Sequence, residues 1–347
     1  MTQTVSIAMA TYNGARFLKE QLDSLIAQDL RPAEIIICDD GSTDDTIQVA
    51  TAYAAASPVP VQVVQNEKNL GWRANFIKSA SLCTGDLIAF CDQDDVWNPR
   101  KLSEVVQRFE QPAVLMVYHN AEVVDGELRH KGTLSMQKPE ANVMPAMTLD
   151  PWISMLGLTI AFRRELLQFW PLWEDSIDKY ASGHRAAHDQ WVCFLASSLG
   201  TTVYTDQQLL KYRQHGGNAM GVALTNSKRH KIAYILDFAK VIDLYHATAE
   251  TRILALSAIP TIDPRFTECA LRAKEIYIGY RDLLALQLDV YRSAALPRRL
   301  SAAAQLRRLD AYRGSRWSLT QAMRYKDLFA SIAGPSVLKT LHGVVTR

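Results

Sequence analysis

The chain has 347 residues and a hydrophobic content of 48%, which is enough for a sizeable core and exceeds the usual size of one domain. No span reaches transmembrane length, and the N-terminus lacks the basic region of a secretory signal, so we expect neither a membrane-spanning nor a secreted chain. The five cysteines are odd in number and have no paired spacing, which argues against a disulfide framework and predicts a reduced, cytoplasmic protein.

The formal net charge of +2 conceals an asymmetry between two parts of the chain. Residues 1–225 hold 18 Lys and Arg against 26 Asp and Glu, whereas residues 226–347 hold 20 against 10. We therefore predict a first domain over 1–225 and a basic second domain over 226–347. The basic part predicts contact with an anionic surface, and an ordinary solvated helical face is the alternative.

The first part alternates apolar runs with segments of helical periodicity. Residues 5–10, 34–38 and 61–64 are strand-like runs, and residues 17–26 and 46–53 repeat apolar positions at helical spacing. This alternation predicts an α/β domain with a mostly parallel, doubly wound, Rossmann-like sheet and right-handed crossovers.

Ligands of such sheets bind beyond the carboxyl ends of the strands. The loops at residues 11–14, 39–42 and 92–95 follow strand-like runs and are therefore predicted to line one pocket. The sequence contains neither a G-x-G-x-x-G loop nor a G-x-x-x-x-G-K-S/T loop, so a nicotinamide cofactor is not supported.

The third of these loops places Asp92, Asp94 and Asp95 within four residues directly after an apolar run. Carboxylate oxygens are the donors that Mg²⁺ and Mn²⁺ prefer, and these ions commonly take one or two protein carboxylates together with substrate phosphates. The loop therefore predicts a divalent metal site. A solvated acidic turn, in which Asp95 caps the next helix, is the alternative.

Five motifs then occur in the order of a known family, at residues 10–14, 39–44, 66–72, 91–97 and 212–218. On these motifs residues 4–220 resemble the family 2 glycosyltransferases, which are nucleotide-sugar-dependent enzymes of GT-A fold. The last two motifs look most like those of bacterial rhamnosyltransferase-type members.

The resemblance implies a set of donor-binding residues, namely Thr11, Asn13, Asp40, Lys68, Asn69, Asp92, Gly157 and Arg213. By resemblance Thr11 and Asn13 approach the nucleotide, Asp40 accepts a hydrogen bond from the base, and Arg213 closes over the diphosphate. Two alternatives remain open. Asp39 or Asp40 would cap the helix that begins near residue 43, or Gly157 would mark a β-bulge or a tight strand crossing.

The resemblance also implies that Asp94, with Asp92 and His215, binds Mg²⁺ or Mn²⁺. Asp189 is the predicted general base, because displacement in a single step inverts the anomeric centre and needs only one carboxylate on the acceptor side. Asp189 precedes an apolar helix, whose N-terminus favours an ionised carboxylate, and simple N-capping is the alternative. His188 replaces an acid that is common in the family, and contact with phosphate or acceptor remains open for it.

From about residue 227 onward the periodicity is helical, and Pro260, Pro264, Pro297 and Pro335 divide the tail into four or five predicted helices. Arginines interleave there with aromatic residues between residues 298 and 329, which is typical of a peripheral membrane contact at the inner face of the cell membrane. Packing against protein is the rival, and nucleic acid binding has no motif in its favour.

Together these features predict an inverting, metal-dependent glycosyltransferase. It would move a sugar, with rhamnose as the first choice, from a dTDP- or UDP-linked donor to a saccharide or polyprenyl-linked acceptor in bacterial O-antigen or capsule synthesis. The alternatives are a non-catalytic nucleotide- or carbohydrate-binding module with the same fold, and a transferase of another hexose.

Overall fold

A computed structural model describes residues 3–134, 139, 141–153, 155–216, 238–309, 311 and 321–345. The chain divides into two compact units, Met1–Trp173 with Ala187–Gly221, and Glu174–Ala186 with Val222–Arg347. The boundary predicted at residues 225 and 226 lies outside the described residues. The assignment of residues 174–186 to the second unit had no signal in the sequence.

The first unit is built on one ten-stranded sheet. Its strands are β1 (Val5–Thr11), β2 (Glu34–Asp39), β3 (Val61–Gln65), β4 (Leu87–Cys91), β5 (Val96–Trp97), β6 (Val114–Asp125), β7 (His130–Thr133), β8 (Val143–Met144), β9 (Ile160–Arg163) and β10 (Thr201–Gln214). The strand order is β3-β2-β1-β4-β9-β6-β10-β5, with β7 on β6 and β8 on β10.

The direction of the strands explains where a site can form. β1, β2, β3, β4, β6 and β10 run in one direction, and β5, β7, β8 and β9 run against them. This result confirms the predicted mostly parallel α/β sheet. Because parallel strands end at the same edge, the loops after β1, β2 and β4 lie together.

The first unit also contains the helices α1 (Ala15–Ile26), α2 (Thr46–Ala56), α3 (Trp72–Ser81), α4 (Lys101–Val106) and α5 (His188–Leu199). Short 3₁₀ segments occur at Gln107–Phe109, Gly157–Thr159 and Arg164–Asp175. The helix α1 buries Leu18, Leu22 and Leu25 at helical spacing, while Ile7 and Met9 of β1 are fully buried. Continuous burial of strands such as β1 is expected where both faces of a parallel sheet are covered.

Helices make up the described residues after 237, as predicted. They are α6 (Phe238–Ile262), a 3₁₀ turn (Pro264–Phe266), α7 (Thr267–Arg292), α8 (Leu296–Arg308) and α9 (Gln321–Val345). The expectation that prolines end helices is wrong in detail. Pro264 and Pro297 stand at helix starts, Pro260 lies inside α6, and Pro335 follows a kink at Gly334, whose φ is 78°. None of the described helices combines the length and apolarity that a membrane crossing requires.

Candidate active site

The loops after β1 and β2 are joined by side chains that the sequence predicted to be functional. Thr11 Oγ1 donates to Asp39 Oδ2 at 2.9 Å, and the Asp40 amide donates to the Thr11 carbonyl at 2.9 Å. Asn13 has a φ of 49°, a left-handed conformation that asparagine tolerates, and its Oδ1 accepts from the Thr43 amide at 2.8 Å. These bonds fix the backbone of both loops, while nucleotide contact by Thr11 and Asn13 stays a prediction.

Gln93 links the acidic loop to the loop after β1. Its Oε1 accepts from the Tyr12 amide at 2.9 Å, and its Nε2 donates to the Tyr12 carbonyl at 3.1 Å. A Cβ on Gly14 would lie 2.1 Å from Gln93 Oε1, so a larger residue there would displace the Gln93 amide that joins the two loops. The three predicted loops therefore form one continuous edge of the sheet.

Asp40 is buried and makes contacts that differ from its predicted role. Its Oδ1 accepts from Asn66 Nδ2 at 2.8 Å and from the Leu70 amide at 2.7 Å, and its Oδ2 accepts from the Gly71 amide at 2.8 Å. The carboxylate thus holds the segment that precedes α3. These internal bonds make Asp40 a support for this segment, while its contact with the base stays a prediction.

The capping alternative for Asp39 and Asp40 is wrong. The helix α2 begins at Thr46, and it is Asp44 whose Oδ1 accepts from the Thr46 amide at 3.0 Å. Asp39 instead accepts from the Gly41 and Ser42 amides at 3.1 and 2.9 Å, which shapes the turn after β2.

Lys68 and Asn69 belong to the segment that Asp40 holds. Asn69 Nδ2 donates to the Asp40 carbonyl at 2.9 Å, and Asn69 Oδ1 accepts from the Gly71 amide at 3.1 Å. Lys68 is exposed on the same segment. Its ammonium is therefore accessible to an anionic ligand, and donor contact by both residues stays a prediction.

The acidic loop concentrates negative charge in a buried place. Asp92 is partly buried, and Asp94 and Asp95 are buried. Burial, together with the carboxylates of Asp94 and Asp189, raises the pKa of Asp92 to about 7. Burial likewise raises the pKa of Asp94, and it raises that of Asp95 well above the usual value. Ionised carboxylates crowded in this way favour the binding of a cation.

Asp95 does not cap the following helix. Its Oδ1 accepts from the Arg213 amide at 3.0 Å, whereas α4 begins only at Lys101. Its Oδ2 is buried and has no hydrogen-bond partner among the described residues. Asp95 therefore joins the acidic loop to β10 and leaves one carboxylate oxygen inside the acidic cluster.

His215 and Asp94 form the contact that carries the predicted metal site. His215 Nε2 lies 2.7 Å from Asp94 Oδ2, and the imidazole packs against Phe17 with ring centroids 4.7 Å apart. The two predicted ligands are therefore adjacent, and the contact orients the Asp94 carboxylate.

Arg213 is turned away from the role predicted for it. Its side chain is 2% exposed, Nε donates to the Asp94 carbonyl at 2.7 Å, Nη1 donates to the Gly126 carbonyl at 2.6 Å, and Nη2 pairs with Glu20 at 2.5 Å. The guanidinium also lies 4.5 Å from the centre of the Phe17 ring. Because protein groups occupy this guanidinium, we correct its assignment from diphosphate contact to support of the Asp94 backbone.

Across the described part of the chain, no three His, Cys, Asp or Glu side chains are close enough to hold a metal ion by themselves. A closed three-ligand site of Asp92, Asp94 and His215 is thus not preformed. An ion that takes one or two carboxylates and completes its shell with water and phosphate fits this donor set better. The unpartnered Oδ2 of Asp95 and the raised pKa of Asp92 are consistent with such an ion.

Asp189 lies in the first turn of α5 and is close enough to Asp92 to raise its pKa. The N-cap residue is Ala187, so Asp189 is not the cap, and its Oδ1 accepts from the Gln190 amide at 2.6 Å. Asp189 therefore faces the acidic cluster from a helix N-terminus, where the helix dipole favours the ionised form.

Gly157 makes room for an imidazole. A Cβ at this position would lie 2.3 Å from His188 Nε2, and Gly157 begins a 3₁₀ turn rather than a β-bulge. This observation corrects the bulge alternative. Close approach to a donor sugar stays a prediction for Gly157.

The part of the chain that carries most of the sheet and the three loops matches a known protein family. Residues 6–169 match the model of the family described as Glycosyl transferase family 2. These residues, just under half of the chain, are therefore similar to a family 2 glycosyltransferase domain. The match includes the loops that carry Thr11, Asp40 and Asp92, whereas Asp189 and His215 lie beyond it.

Individual relatives align with a longer part of the chain than the family model does. The uncharacterized glycosyltransferase alr2836 of Nostoc sp. is 28% identical over 226 residues, which are 62% of this chain and 66% of that protein. The dTDP-rhamnosyl transferase RfbG of Shigella flexneri is 26% identical over 231 residues, 65% of this chain and 77% of that protein. The chain thus spans just under two thirds of the length of the Nostoc relative.

A solved structure resembles the fold over nearly the whole chain. The crystal structure of S. aureus TarS 1-349 in complex with UDP-GlcNAc is 18% identical, with a TM-score of 0.50 over 98% of this chain and 92% of that chain. At this identity the likeness concerns the fold alone, and it agrees with the mixed, mostly parallel GT-A sheet that was expected.

Several residues of the family 2 domain and its surroundings escaped the sequence reasoning. Gln93 had a signal, since an amide between carboxylates at a strand end can bridge neighbouring loops. Lys101 had none, because lysine is rarely buried, yet it is 1% exposed and its Nζ donates to the Leu158 carbonyl at 2.9 Å. Its positive charge lowers the pKa of Asp92 and Asp95 and so opposes the effect of burial.

Proposed function

We propose that this chain is an inverting, divalent-metal-dependent glycosyltransferase that moves a sugar from a nucleoside diphosphate donor to a saccharide acceptor. The observation that carries the proposal is the meeting of two carboxylate groups, one on the acidic loop (Asp92 and Asp94) and one at the start of α5 (Asp189). A non-catalytic binding module has no need of a further carboxylate, at a helix N-terminus, beside an acidic cluster.

In the proposed reaction Asp189 removes the proton from the acceptor hydroxyl as its oxygen attacks the anomeric carbon. The bond from that carbon to the diphosphate breaks in the same step, so one carboxylate on the acceptor side is enough and the configuration inverts. Asp94, oriented by His215, and Asp92 would hold a Mg²⁺ or Mn²⁺ ion, which neutralises the charge of the departing diphosphate. Lys68, which is exposed, is proposed to meet a phosphate.

The names of two similar proteins support the proposed donor class. RfbG of Shigella flexneri is named a dTDP-rhamnosyl transferase, which favours a dTDP-linked rhamnose donor for this chain. TarS was crystallised with UDP-GlcNAc, so UDP-linked hexoses are the second choice. A saccharide on a polyprenyl carrier, as in O-antigen or capsule synthesis, is the proposed acceptor.

The second unit is proposed to bring the enzyme to such an acceptor at the inner face of the cell membrane. Leu296 and Leu300 of α8 are 47% and 46% exposed on a helix that also carries Arg298, Arg307 and Arg308. Exposed apolar side chains beside arginines suit an anionic bilayer surface. Part of the basic aromatic run, residues 312–320, lies outside the described residues.

One assay tests the activity, the donor and the metal together. The full chain is incubated with dTDP-rhamnose, UDP-glucose and UDP-GlcNAc, with Mg²⁺ or Mn²⁺ and a polyprenyl-linked saccharide, and nucleoside diphosphate release is followed. Acceptor-dependent release that EDTA abolishes supports the proposal. Release that survives EDTA overturns the metal dependence, and the absence of release with every donor overturns the transferase assignment.

Flotation with liposomes tests the membrane contact separately. Binding to anionic vesicles at low salt and its loss at high salt are expected, because charges near the surface are screened. Neutral vesicles are the control. Failure to float with anionic vesicles at low salt would contradict the membrane contact without touching the catalytic proposal.

A further inference from the structure

His188 occupies an aromatic enclosure at the start of α5. Its side chain is buried, and its ring stacks on Phe76 with centroids 4.0 Å apart and planes at 24°. Phe90 meets the same ring edge-on at 4.5 Å, and Trp72 does so at 5.8 Å. Two residues of α3 and one of β4 thus fix the plane of the imidazole.

The imidazole is a neutral wedge. Neither Nδ1 nor Nε2 has a hydrogen-bond partner among the residues that the structure describes. Burial, aided by the positive charge of Arg73, lowers the pKa of His188 to about 3, so the ring is uncharged near neutral pH. Since both nitrogens are buried, contact of this ring with phosphate or acceptor is not supported.

Backbone meets the imidazole at its Nε2 edge. A Cβ on Gly157 would lie 2.3 Å from Nε2, 3.2 Å from Cδ2 and 3.3 Å from Cε1 of His188. The turn that contains Gly157 is itself held, because Lys101 Nζ donates to the Leu158 carbonyl at 2.9 Å. The ring is therefore confined by Phe76 at one face and by the Gly157 backbone at the Nε2 edge.

We infer that His188 is a positioning residue for Asp189: its ring, wedged in by Phe76 on one face and by Gly157 at its Nε2 edge, fixes the first turn of α5 and so the carboxylate that follows it. The inference rests on the proposed function, in which Asp189 is the general base. His188 supplies shape and neutrality. A charged neighbour would shift the pKa of Asp189, whereas an uncharged ring adds no charge beside it.

A double-mutant cycle tests the wedge. Gly157→Ala is expected to lower kcat about 10- to 100-fold with the donor KM unchanged, because a small displacement of a catalytic group costs rate more than binding. In a His188→Ala background the added methyl meets no ring, so Gly157→Ala should have little further effect. Gly279→Ala is the control, since a Cβ there meets nothing within 4 Å. An equal loss in both backgrounds would contradict the wedge.

His188→Leu separates shape from chemistry. Leucine has a similar volume and no nitrogen, so we expect kcat within about tenfold of the wild type and an unchanged pH profile. Loss of a limb of the pH profile, or of turnover altogether in a folded variant, would show a chemical role and overturn the inference.

Failure of the proposed function can be told apart from failure of this inference. If the wild-type chain releases no nucleoside diphosphate from any donor, the transferase assignment fails. Crystal structures of the wild type and of Gly157→Ala then decide the inference. A displaced first turn of α5 in the variant supports it, and an undisturbed turn overturns it.

Discussion

Arg213 supports the backbone of Asp94, because its Nε donates to the Asp94 carbonyl at 2.7 Å. The Arg213 amide also donates to Asp95 Oδ1 at 3.0 Å, so one residue of β10 fixes two of the three aspartates. The positions of these aspartates thus depend on the buried Arg213, whose side chain is 2% exposed. Arg213, which was expected to touch the donor, instead helps to position the carboxylates that are proposed to bind the metal.

Arg213→Met should therefore destabilise the fold as well as impair activity. Loss of the bonds to Asp94, Gly126 and Glu20 leaves buried carbonyls unpartnered and should cost about 2–3 kcal/mol of unfolding free energy. Arg129→Met is the control, because the Arg129 side chain is 73% exposed and such surface pairs contribute little to stability. Urea unfolding measures both. Equal stability of the two variants would return Arg213 to a donor-binding role.

His215→Ala should lower the affinity for the metal ion more strongly than it lowers the free energy of unfolding. Without the imidazole 2.7 Å from its Oδ2, the Asp94 carboxylate loses its orientation, and we expect about 10- to 100-fold lower affinity for Mn²⁺. Calorimetric titration with Mn²⁺ in the presence of a nucleoside diphosphate measures this affinity. His246→Ala, in the second unit, is the control, and equal affinities of the two variants would exclude His215 from the metal site.

Asp189→Asn should separate binding from chemistry. The amide cannot accept the acceptor proton, so kcat should fall about 10²- to 10⁴-fold, while folding and donor affinity stay the same. The measurements are kcat, donor affinity and the thermal midpoint, with Asp282→Asn on exposed α7 surface as the control. Near-normal turnover by Asp189→Asn would remove this residue from the role of base.

Asp40→Asn distinguishes the two roles considered for that residue. As a support, the Asp40 carboxylate accepts hydrogen bonds from the Asn66 side chain and from the Leu70 and Gly71 amides. The NH₂ group of an asparagine in its place would face one of these donors and could not accept its hydrogen bond. We expect a loss of about 1–3 kcal/mol in unfolding free energy. Unchanged stability together with weaker donor binding would instead support the contact with the base.

The order of strands and loops could be predicted because each parallel strand is a local apolar run followed by polar residues. The pairing of β9 could not, since it joins Leu87 to Arg163 across a long stretch of sequence and no local pattern names the partner. The antiparallel strands between and beside β4, β6 and β10 were missed for the same reason.

The site shows a similar division. Residue types at the ends of β1, β2 and β4 indicated an anionic edge, because carboxylates placed there are costly without a cation. The direction of a side chain is decided by distant partners, and for Arg213 these are Gly126 and Glu20. The enclosure of His188 had no signal near that residue, since Phe76 and Phe90 lie far from it in the sequence.

The buried imidazole of His188 also predicts a pH dependence of stability. Above its ordinary pKa of 6.5 the ring is neutral in the folded and unfolded states, so it contributes no dependence. As the pH falls below 6.5 the unfolded chain binds a proton that the folded protein refuses until about pH 3, and stability falls. The loss from this one group should approach about 1 kcal/mol per pH unit.

Comparison with His188→Leu isolates that contribution from other buried groups. His119 has a pKa lowered well below 6.5 and adds a loss of the same sign, whereas Asp92, whose pKa is raised to about 7, acts in the opposite direction. Because these groups are common to both proteins, the stability of His188→Leu relative to wild type should rise steadily from pH 6.5 to pH 5. Urea unfolding at each pH measures the difference. A difference that does not change with pH would mean that His188 is protonated in the folded protein, and the neutral wedge would be wrong.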